Sequence, residues 1–487
     1  MSIAELLVPA IRWSPEHGFA HQRELIERAL GLGVGGFIFF GGRAEAVAEL
    51  ATELRTRSSV SLLIGSDLER GAGQQFEGLT GLPPLAALGA LRDESAIRHA
   101  ASLSAREARS VGLNWIYAPV CDLDVLPENP IVGTRAFGGE PQRVGEQVFA
   151  WIRACQAQGV LACAKHFPGH GRTAADSHAT LPVVDVPRAT LHGEDLVPFR
   201  AALNADVASV MTAHVSYPAL DPSGAPATLS APILQGLLRE EMRFRGLIVT
   251  DALIMAGVRS RRGEGDATVR AIEAGCDLLL YPEDLEGVTS ALEQAVEHGP
   301  LTVERLAASQ DLRSRWATWA IDHEPEGVPE VDRARAAEIA MRAVFLVRGD
   351  AVRVGGGTEV LVVDDDVGGP YPPPSREPFF TALAAGGVEV TRVDSPTPDA
   401  DSPLVIALFG DIRGWKGRAG YSAATRNAVG RAIVGSRGRG RSAIVVQFSH
   451  PRLSSEIPEA ETMVCCWGGE RAMQEAAARR LVQGVSA

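Results

Sequence analysis

The chain has few cysteines and no long apolar run. Six of its 487 residues are cysteine, mostly inside apolar segments, and no two are spaced as a CxxC pair. A disulfide framework or a cysteine-based metal site is therefore not expected, whereas buried reduced thiols are. No apolar run reaches the roughly 18 residues of a membrane helix, so the sequence predicts no membrane span.

Positive charge is also in short supply. Lys and Arg number 47 against 60 Asp and Glu, a formal net charge of −13, which argues against a general nucleic-acid binder. The first residues carry neither a basic segment nor an uninterrupted apolar core, so no signal peptide is predicted and a cytoplasmic location is expected. The length predicts two or three domains.

Short apolar runs recur through the first 285 residues, each followed by a turn and an amphipathic stretch. The eight runs are Leu6–Ile11, Gly36–Phe40, Ser61–Gly65, Leu113–Val120, Val160–Ala164, Ser209–Ala213, Leu247–Thr250 and Asp277–Tyr281. Strands that alternate with helices indicate a parallel sheet, and eight such units predict an α/β fold of the (β/α)8 TIM-barrel type. An open doubly wound sheet is the alternative, but no GxGxxG follows the first run.

Polar side chains with catalytic chemistry follow five consecutive runs of this series. They are Asp67 and Glu69, then Asp122 and Asp124, then Lys165 and His166, then His214, and finally Asp251. In a parallel barrel the carboxyl ends of all strands meet on one face, where catalytic groups are found. The sequence therefore predicts an active site there.

The segment 165–178 concentrates this chemistry. It holds three histidines, one aspartate and one lysine among turn residues. Asp176 and His178 are two residues apart, so the carboxylate can bond one imidazole nitrogen and leave the other for proton transfer. The alternative interpretation is a polar surface loop with structural histidines.

The second half of the chain forms a separate α/β region. An acidic stretch with two prolines begins at Ile321, a helix is predicted over 332–342, and six further apolar runs follow. We therefore predict a barrel over 1–320, a linker and connecting helix over 321–342, and a smaller α/β sandwich over 343–487.

One part of the sandwich is basic. Residues 411–442 hold eight Lys or Arg against one Asp. A solvated helix face with a Gly/Arg loop explains this simply, and a site for a carboxylated sugar or a phosphate is the functional alternative. Nucleic acid is a weaker third possibility, because no aromatic platform accompanies the charges.

At Lys165-His-Phe-Pro-Gly-His-Gly, with Asp176-Ser-His178 downstream, the sequence resembles glycoside hydrolase family 3. The resemblance is to its β-N-acetylglucosaminidase branch, which includes bacterial enzymes of cell-wall (peptidoglycan) recycling. Supporting stretches are Asp67-Leu-Glu-Arg-Gly, Ala118-Pro-Val-Cys-Asp-Leu-Asp, Asn129-Pro-Ile-Val-Gly-Thr-Arg, Met211-Thr-Ala-His-Val and Val249-Thr-Asp-Ala-Leu-Ile-Met. The chain departs from the family pattern at Ala72 and Gln75, where that pattern carries arginines.

The resemblance implies roles for the matching positions. Asp251 would be the nucleophile, and His178 the general acid/base with Asp176 orienting it. The residues implied to hold the sugar are Asp67, Arg135, Lys165, His166, His214 and Met255. The resemblance implies neither a metal nor a cofactor.

The implied function is a retaining exo-β-N-acetylglucosaminidase acting on muropeptide or chitin-derived fragments. A phosphorylase of the same family is an alternative, because a histidine acid/base does not repel an incoming phosphate. A β-glucosidase or xylosidase, a non-catalytic sugar-binding protein and a metallohydrolase complete the alternatives. The expected partners are a small carbohydrate containing N-acetylglucosamine and, in one alternative, phosphate; the oligomeric state is left open.

Overall fold

The computed structural model describes residues 2–174, 181–255, 258, 263–323, 333–369, 373–397 and 402–486. Asp176 and His178 lie outside the described residues. The chain divides into two compact units. The first comprises Met1–Thr80, Ile97–Val125 and Gly138–Val331, and the second comprises Gly81–Ala96, Leu126–Phe137 and Asp332–Ala487.

The strands of the first unit are short and parallel. They are β1 (Leu7–Val8), β2 (Ala10–Arg12), β3 (Gly36–Phe40), β4 (Leu63–Ser66), β5 (Trp115–Ile116), β6 (Leu161–Phe167), β7 (Ser209–Thr212), β8 (Leu247–Val249) and β9 (Leu279–Leu280). Strands β2 to β8 form one sheet in sequence order, and β1 pairs with β9. A single parallel bridge joins Val249 to Leu278, just before β9.

All eight apolar runs contain strands, and the first is divided in two at Pro9. Proline has no backbone N–H, so it cannot donate to a ladder and interrupts the strand there. The α/β class, a parallel sheet and a separate second sheet are confirmed. Closure of the first sheet into an eight-stranded barrel stays a prediction.

Helices alternate with these strands. In chain order they are α1 (Arg23–Leu32), α2 (Ala44–Arg57), α3 (Leu85–Ala90), α4 (Glu94–Ser110), α5 (Pro141–Gln156), α6 (Arg188–Thr190), α7 (Val197–Asn204), α8 (Glu264–Ala274), α9 (Leu285–Glu297) and α10 (Val303–Asp322). Two π-helical segments, Leu191–Asp195 and Pro232–Glu241, also belong to the first unit, whereas α3 lies in the segment 81–96, which groups with the second unit. Local sequence sets the ends: the Glu140 side chain accepts from two N–H groups of the first turn of α5, which begins with Pro141.

One buried cluster draws on the strands of the first unit. Its members alternate along the strands and include Val8, Ala10, Ile38, Leu63, Trp115, Tyr117, Leu161, Cys163, Leu247, Val249, Leu278 and Leu280. Because side chains of a strand point alternately to its two faces, the next residue of each alternating series extends the same face toward the carboxyl edge. These next residues include Arg12, Phe40, Lys165 and Asp251, and Asp67 lies two such steps beyond Leu63.

The second unit is a mixed sheet between helices. Its strands are β10 (Phe345–Arg348), β11 (Thr358–Asp364), β12 (Val390–Val393), β13 (Leu404–Phe409), β14 (Ala443–Phe448) and β15 (Thr462–Cys465), in the order β10-β15-β14-β13-β11-β12. All neighbours are parallel except β10 and β15. The helices are α11 (Arg333–Ala343), α12 (Glu377–Ala385), α13 (Ala423–Arg437) and α14 (Arg471–Gln483).

Both faces of this second sheet are apolar. Along β13, Val405, Ala407 and Phe409 belong to one buried cluster, and Leu404, Ile406 and Leu408 belong to another. A strand covered on both faces has no polar side, which is why β13 reads as an uninterrupted apolar run.

Two segments of the first 320 residues group with the second unit. In 81–96, Ala86 and Ala87 join the buried cluster of the second sheet. In 126–137, Gly133 has φ +39° and approaches Ile412 so closely that an added Cβ would lie 3.0 Å from its Cδ1. The sequence assigned both segments to the barrel because their own patterns do not indicate a distant partner. The boundaries predicted at 320 and 342 stay predictions.

The thiol prediction is confirmed, since all six cysteines are buried and free. None of the helices that the structure describes is both long and apolar enough to cross a membrane.

Candidate active site

Lys165 joins two carboxylates at the carboxyl edge of the first sheet. It lies in β6, and its Nζ is 2.7 Å from Asp67 Oδ1 and 2.7 Å from Glu69 Oε1. The Lys165 side chain is only 2% exposed, so water screens these contacts weakly. Asp67 is 30% exposed, and its Oδ2 has no hydrogen-bond partner among the described residues. The carboxylate of Asp67 is thus fixed on one side and open on the other.

A second buried carboxylate, Asp122, pairs with His166, the residue after Lys165. Asp122, which follows β5, places Oδ2 at 2.7 Å from Nδ1 of His166. Its Oδ1 accepts hydrogen bonds from the backbone N–H groups of His166, at 3.2 Å, and His170, at 2.6 Å. Burial by itself raises the pKa of Asp122, but the interactions with His166 and His170 together outweigh burial and hold that pKa below its ordinary value. An ionised Asp122 fixes the His166 ring in place.

His170 is buried and neutral. Its Nδ1 lies 2.7 Å from Oγ1 of Thr173, whose hydroxyl donates to the His170 carbonyl oxygen at 3.0 Å. The hydroxyl has one proton, so Oγ1 must accept from Nδ1–H, and the proton of neutral His170 is on Nδ1. Burial lowers the pKa of His170 to about 4, although Asp122 opposes the shift.

Asp251 follows β8 at the same edge. It is partly exposed, and its Oδ1 accepts from the backbone N–H of Ala252 at 2.8 Å. His214 is fully buried behind this segment, with Nδ1 2.7 Å from Thr228 Oγ1 and Nε2 3.1 Å from the Ala252 carbonyl oxygen. His214 therefore supports the backbone beside Asp251. Met255 is also buried, four residues further on.

The structure thus brings Asp67, Lys165, His166 and Asp251 to one sheet edge, as the sequence predicts. Their contacts with a sugar stay predictions, as do those of His214 and Met255. Arg135 ends a 3-10 turn, Gly133–Arg135, in the second unit, and its predicted role is likewise untested. Asp176 and His178 fall outside the described residues.

Sequence reasoning noted Glu69 and Asp122 only as acidic residues after strands. Their roles as partners of Lys165 and His166 depend on contacts between neighbouring strands, which no local pattern contains. The departure at Gln75 has a structural counterpart, since its Oε1 accepts from the backbone N–H of Gly41 at 3.1 Å. Ala72 is fully buried.

The basic segment 411–442 is largely neutralised within the second unit. Lys416 lies 2.6 Å from Asp366 and Arg418 lies 2.7 Å from Asp365. Further pairs are Arg413–Asp411, Arg426–Glu456, Arg437–Glu461 and Arg441–Glu359. Carboxylates from distant parts of the chain therefore offset the local excess of positive charge, which weakens the interpretation of this segment as an anion site.

Within the described residues, no group of three or more His, Cys, Asp or Glu side chains is arranged to hold a metal ion.

Comparison with known proteins extends the resemblance to most of the chain. The sequence model described as "Glycosyl hydrolase family 3 N terminal domain" matches residues 2–312. A β-N-acetylglucosaminidase/β-glucosidase of Cellulomonas fimi is 30% identical, over 91% of this chain and 86% of that protein. A solved family 3 β-N-acetylglucosaminidase of Paenibacillus sp. is 27% identical, with a TM-score of 0.84 over 99% of this chain and 96% of the other.

A solved β-glucoside phosphorylase superposes with a TM-score of 0.83 over 99% of this chain and 91% of the other. At 23% identity this likeness shows the fold alone.

The family match spans every strand of the first unit and the edge where the polar residues meet. The protein is therefore an enzyme of the glycoside hydrolase class. The chain belongs to glycoside hydrolase family 3, which confirms the resemblance at residues 165–178.

Proposed function

We propose that this enzyme is a retaining exo-β-N-acetylglucosaminidase whose first unit is a closed (β/α)8 barrel. One observation carries the proposal: Asp251 shares a sheet edge with a carboxylate, a lysine and an imidazole that are already held in place. Relatives named β-N-acetylglucosaminidase support the choice of sugar. The β1–β9 pairing and the Val249–Leu278 bridge support closure of the barrel.

In the proposed first step, a carboxylate oxygen of Asp251 attacks the anomeric carbon as the bond to the leaving oxygen breaks. His178 gives its proton to that leaving oxygen, and Asp176 stabilises the imidazolium beforehand. In the second step His178 takes a proton from water, which displaces Asp251 from the sugar. Two displacements at one carbon retain its configuration.

Binding of the sugar would use the fixed polar groups. Asp67 presents an open carboxylate oxygen that can accept from a sugar hydroxyl. Lys165 and His166 are held by carboxylates, so little side-chain freedom is lost when a sugar arrives. We include Arg135, His214 and Met255 in this binding proposal, His214 through its support of the backbone at Ala252.

The test is turnover of two aryl N-acetyl-β-glucosaminides, one with a good and one with a poor leaving group. Asp251→Asn removes the attacking charge, so both substrates should lose at least about 1,000-fold in kcat, since an essential nucleophile is absent. His178→Ala should lower kcat/KM far more for the substrate with the poor leaving group than for the other, because only the poor leaving group needs a proton in the first step.

Matched controls are Asp206→Asn and His298→Ala, whose side chains are 85% and 82% exposed. Both should retain wild-type rates. Equal loss of kcat/KM on both substrates in His178→Ala would reject His178 as the general acid, and full activity of Asp251→Asn would reject the nucleophile.

The same assay separates the alternatives. Sugar 1-phosphate as the main product when phosphate is added would identify a phosphorylase. A higher kcat/KM for aryl glucosides or xylosides than for N-acetylglucosaminides would identify a β-glucosidase or xylosidase, and the double name of the Cellulomonas fimi relative makes this comparison necessary. Muropeptide or chitin-derived fragments as the natural substrate, and a cytoplasmic location, stay part of the proposal.

A further inference from the structure

Arg12 lies at the same sheet edge and has no role in the mechanism above. It is the last residue of β2 and pairs in register with Phe40, the last residue of β3. Tyr281 directly follows β9, and its backbone N–H donates to the Val8 carbonyl oxygen at 2.9 Å. Tyr281 has φ +57°, a backbone conformation that is rare for a bulky residue and is found often at functional sites.

The guanidinium of Arg12 is held between two rings. Its Cζ lies 4.6 Å from the ring centroid of Phe40 and 5.1 Å from that of Tyr281. Its Nε donates to the Tyr281 hydroxyl oxygen at 2.6 Å. Stacking and one directed hydrogen bond fix the plane of the guanidinium and leave Nη1 and Nη2 as donors.

No carboxylate of the described residues pairs with this cation. Two buried cations of the first unit do have carboxylate partners: Lys165 has two carboxylates, and Arg313 has Glu5 at 2.8 Å. Arg12 is partly buried, so its charge has lost part of its hydration. A partly desolvated, oriented guanidinium without an anionic partner is suited to bind an anion from outside.

The strand order places Arg12 close to the proposed reaction centre. Only β3 separates β2 from β4, which leads to Asp67. On the other side, Tyr281 follows β9, and the bridge at Leu278 joins that segment to β8, which leads to Asp251. Arg12 therefore extends the polar edge beyond the sugar-holding groups.

We propose that Arg12, oriented by Phe40 and Tyr281, binds an oxyanion of the reacting partner of the sugar. This rests on the proposed function, because the anion is either a carboxylate on the leaving group or a phosphate that accepts the sugar. Both match the paired Nη donors of a guanidinium. Arg12 is thus a specificity-determining residue for the group beyond the sugar.

The experiment compares 4-carboxyphenyl and 4-carbamoylphenyl N-acetyl-β-glucosaminide. The leaving group of the first carries a carboxylate, and that of the second carries a neutral amide. Wild type, Arg12→Met, Arg12→Lys and Tyr281→Phe are assayed with and without inorganic phosphate. Arg153→Met, a surface arginine 54% exposed on α5, is the control for loss of one positive charge. Thermal unfolding without ligand checks that each variant folds.

For a carboxylate ligand, Arg12→Met should lower the carboxylate-to-amide ratio of kcat/KM by at least about tenfold, as loss of charge-assisted hydrogen bonds predicts. Arg12→Lys should keep only part of the wild-type ratio, because lysine lacks the planar guanidinium. Tyr281→Phe should give a ratio between those of wild type and Arg12→Met. For a phosphate ligand, the ratio should stay constant and the phosphate dependence of turnover should be lost instead. Arg153→Met should change neither.

Equal effects of Arg12→Met on both substrates, with phosphate dependence unchanged or absent, would overturn the proposal and make Arg12 a structural residue. A second measurement is independent of turnover: 4-carboxyphenyl N-acetyl-β-glucosaminide and phosphate should each be tested for a rise in the unfolding temperature. If wild type hydrolyses neither glycoside, the proposed function fails. An anion-induced rise that is lost in Arg12→Met would still support the anion site, and its absence would reject it.

Discussion

The stability of the first unit should depend on pH through His170. This side chain is 2% exposed and its pKa is lowered to about 4 by burial. In the unfolded chain the same group has a pKa of about 6.5. Between these two values the unfolded state binds a proton that the folded state does not, so the free energy of unfolding falls as the pH is lowered.

The size of the effect follows from the two pKa values. Each pH unit between them is equivalent to about 1.4 kcal/mol. Because the unfolded-state histidine is only half protonated at pH 6.5, lowering the pH from 6.5 to 4.5 should remove about 2.2 kcal/mol from the free energy of unfolding through this one group. The contribution is fully present above about pH 6.5 and is lost as the pH falls toward 4.

The test is His170→Asn. An asparagine amide can still donate to Thr173 Oγ1 but does not titrate, so the pH dependence should be reduced by this amount. Urea unfolding is measured at pH 7.5, 6.5, 5.5 and 4.5 for wild type, His170→Asn and the exposed-histidine control His298→Asn. The readout is the change with pH, because the smaller side chain lowers stability at every pH. If His170→Asn loses stability with falling pH as steeply as wild type, the reasoning about buried neutral His170 is wrong.

Two further predictions concern the interior of the site. Lys165→Met leaves Asp67 and Glu69 without their shared cation and should destabilise the first unit by about 3–5 kcal/mol in urea unfolding. Adding Glu69→Gln should recover part of this loss. No recovery would contradict the ion-pair account. The Tyr117 hydroxyl is buried without a hydrogen-bond partner among the described residues. Tyr117→Phe should therefore raise the free energy of unfolding by about 1 kcal/mol. A loss of stability instead would show that the hydroxyl has a partner, such as a bound water.

The strands were predictable because their signal is local. Each buried parallel strand shows as a short apolar run, and β13 is uninterrupted because both its faces are covered. The carboxyl-edge positions of Asp67, Lys165 and Asp251 followed from the same runs, since a parallel sheet collects the residues that come after its strands on one side.

Pairings between strands were not predictable from those runs. Glu69 and Asp122 were visible as acidic residues, but their contacts with Lys165 and His166 join positions more than 40 residues apart. The same reason explains the basic segment: Lys416 and Arg418 are matched by Asp366 and Asp365, which a count along 411–442 does not include.

The sequence by itself determined the α/β class, the parallel order of the first sheet and membership of family 3, because these depend on periodicity and a contiguous motif. Only the tertiary structure decided which charges are matched. It gave Lys165 two carboxylates, lowered the pKa of His170 by burial, and left Arg12 between two rings with no carboxylate partner among the described residues. The physical reason is that desolvation and ion pairing depend on distances across strands, and those distances exist only after the chain has folded.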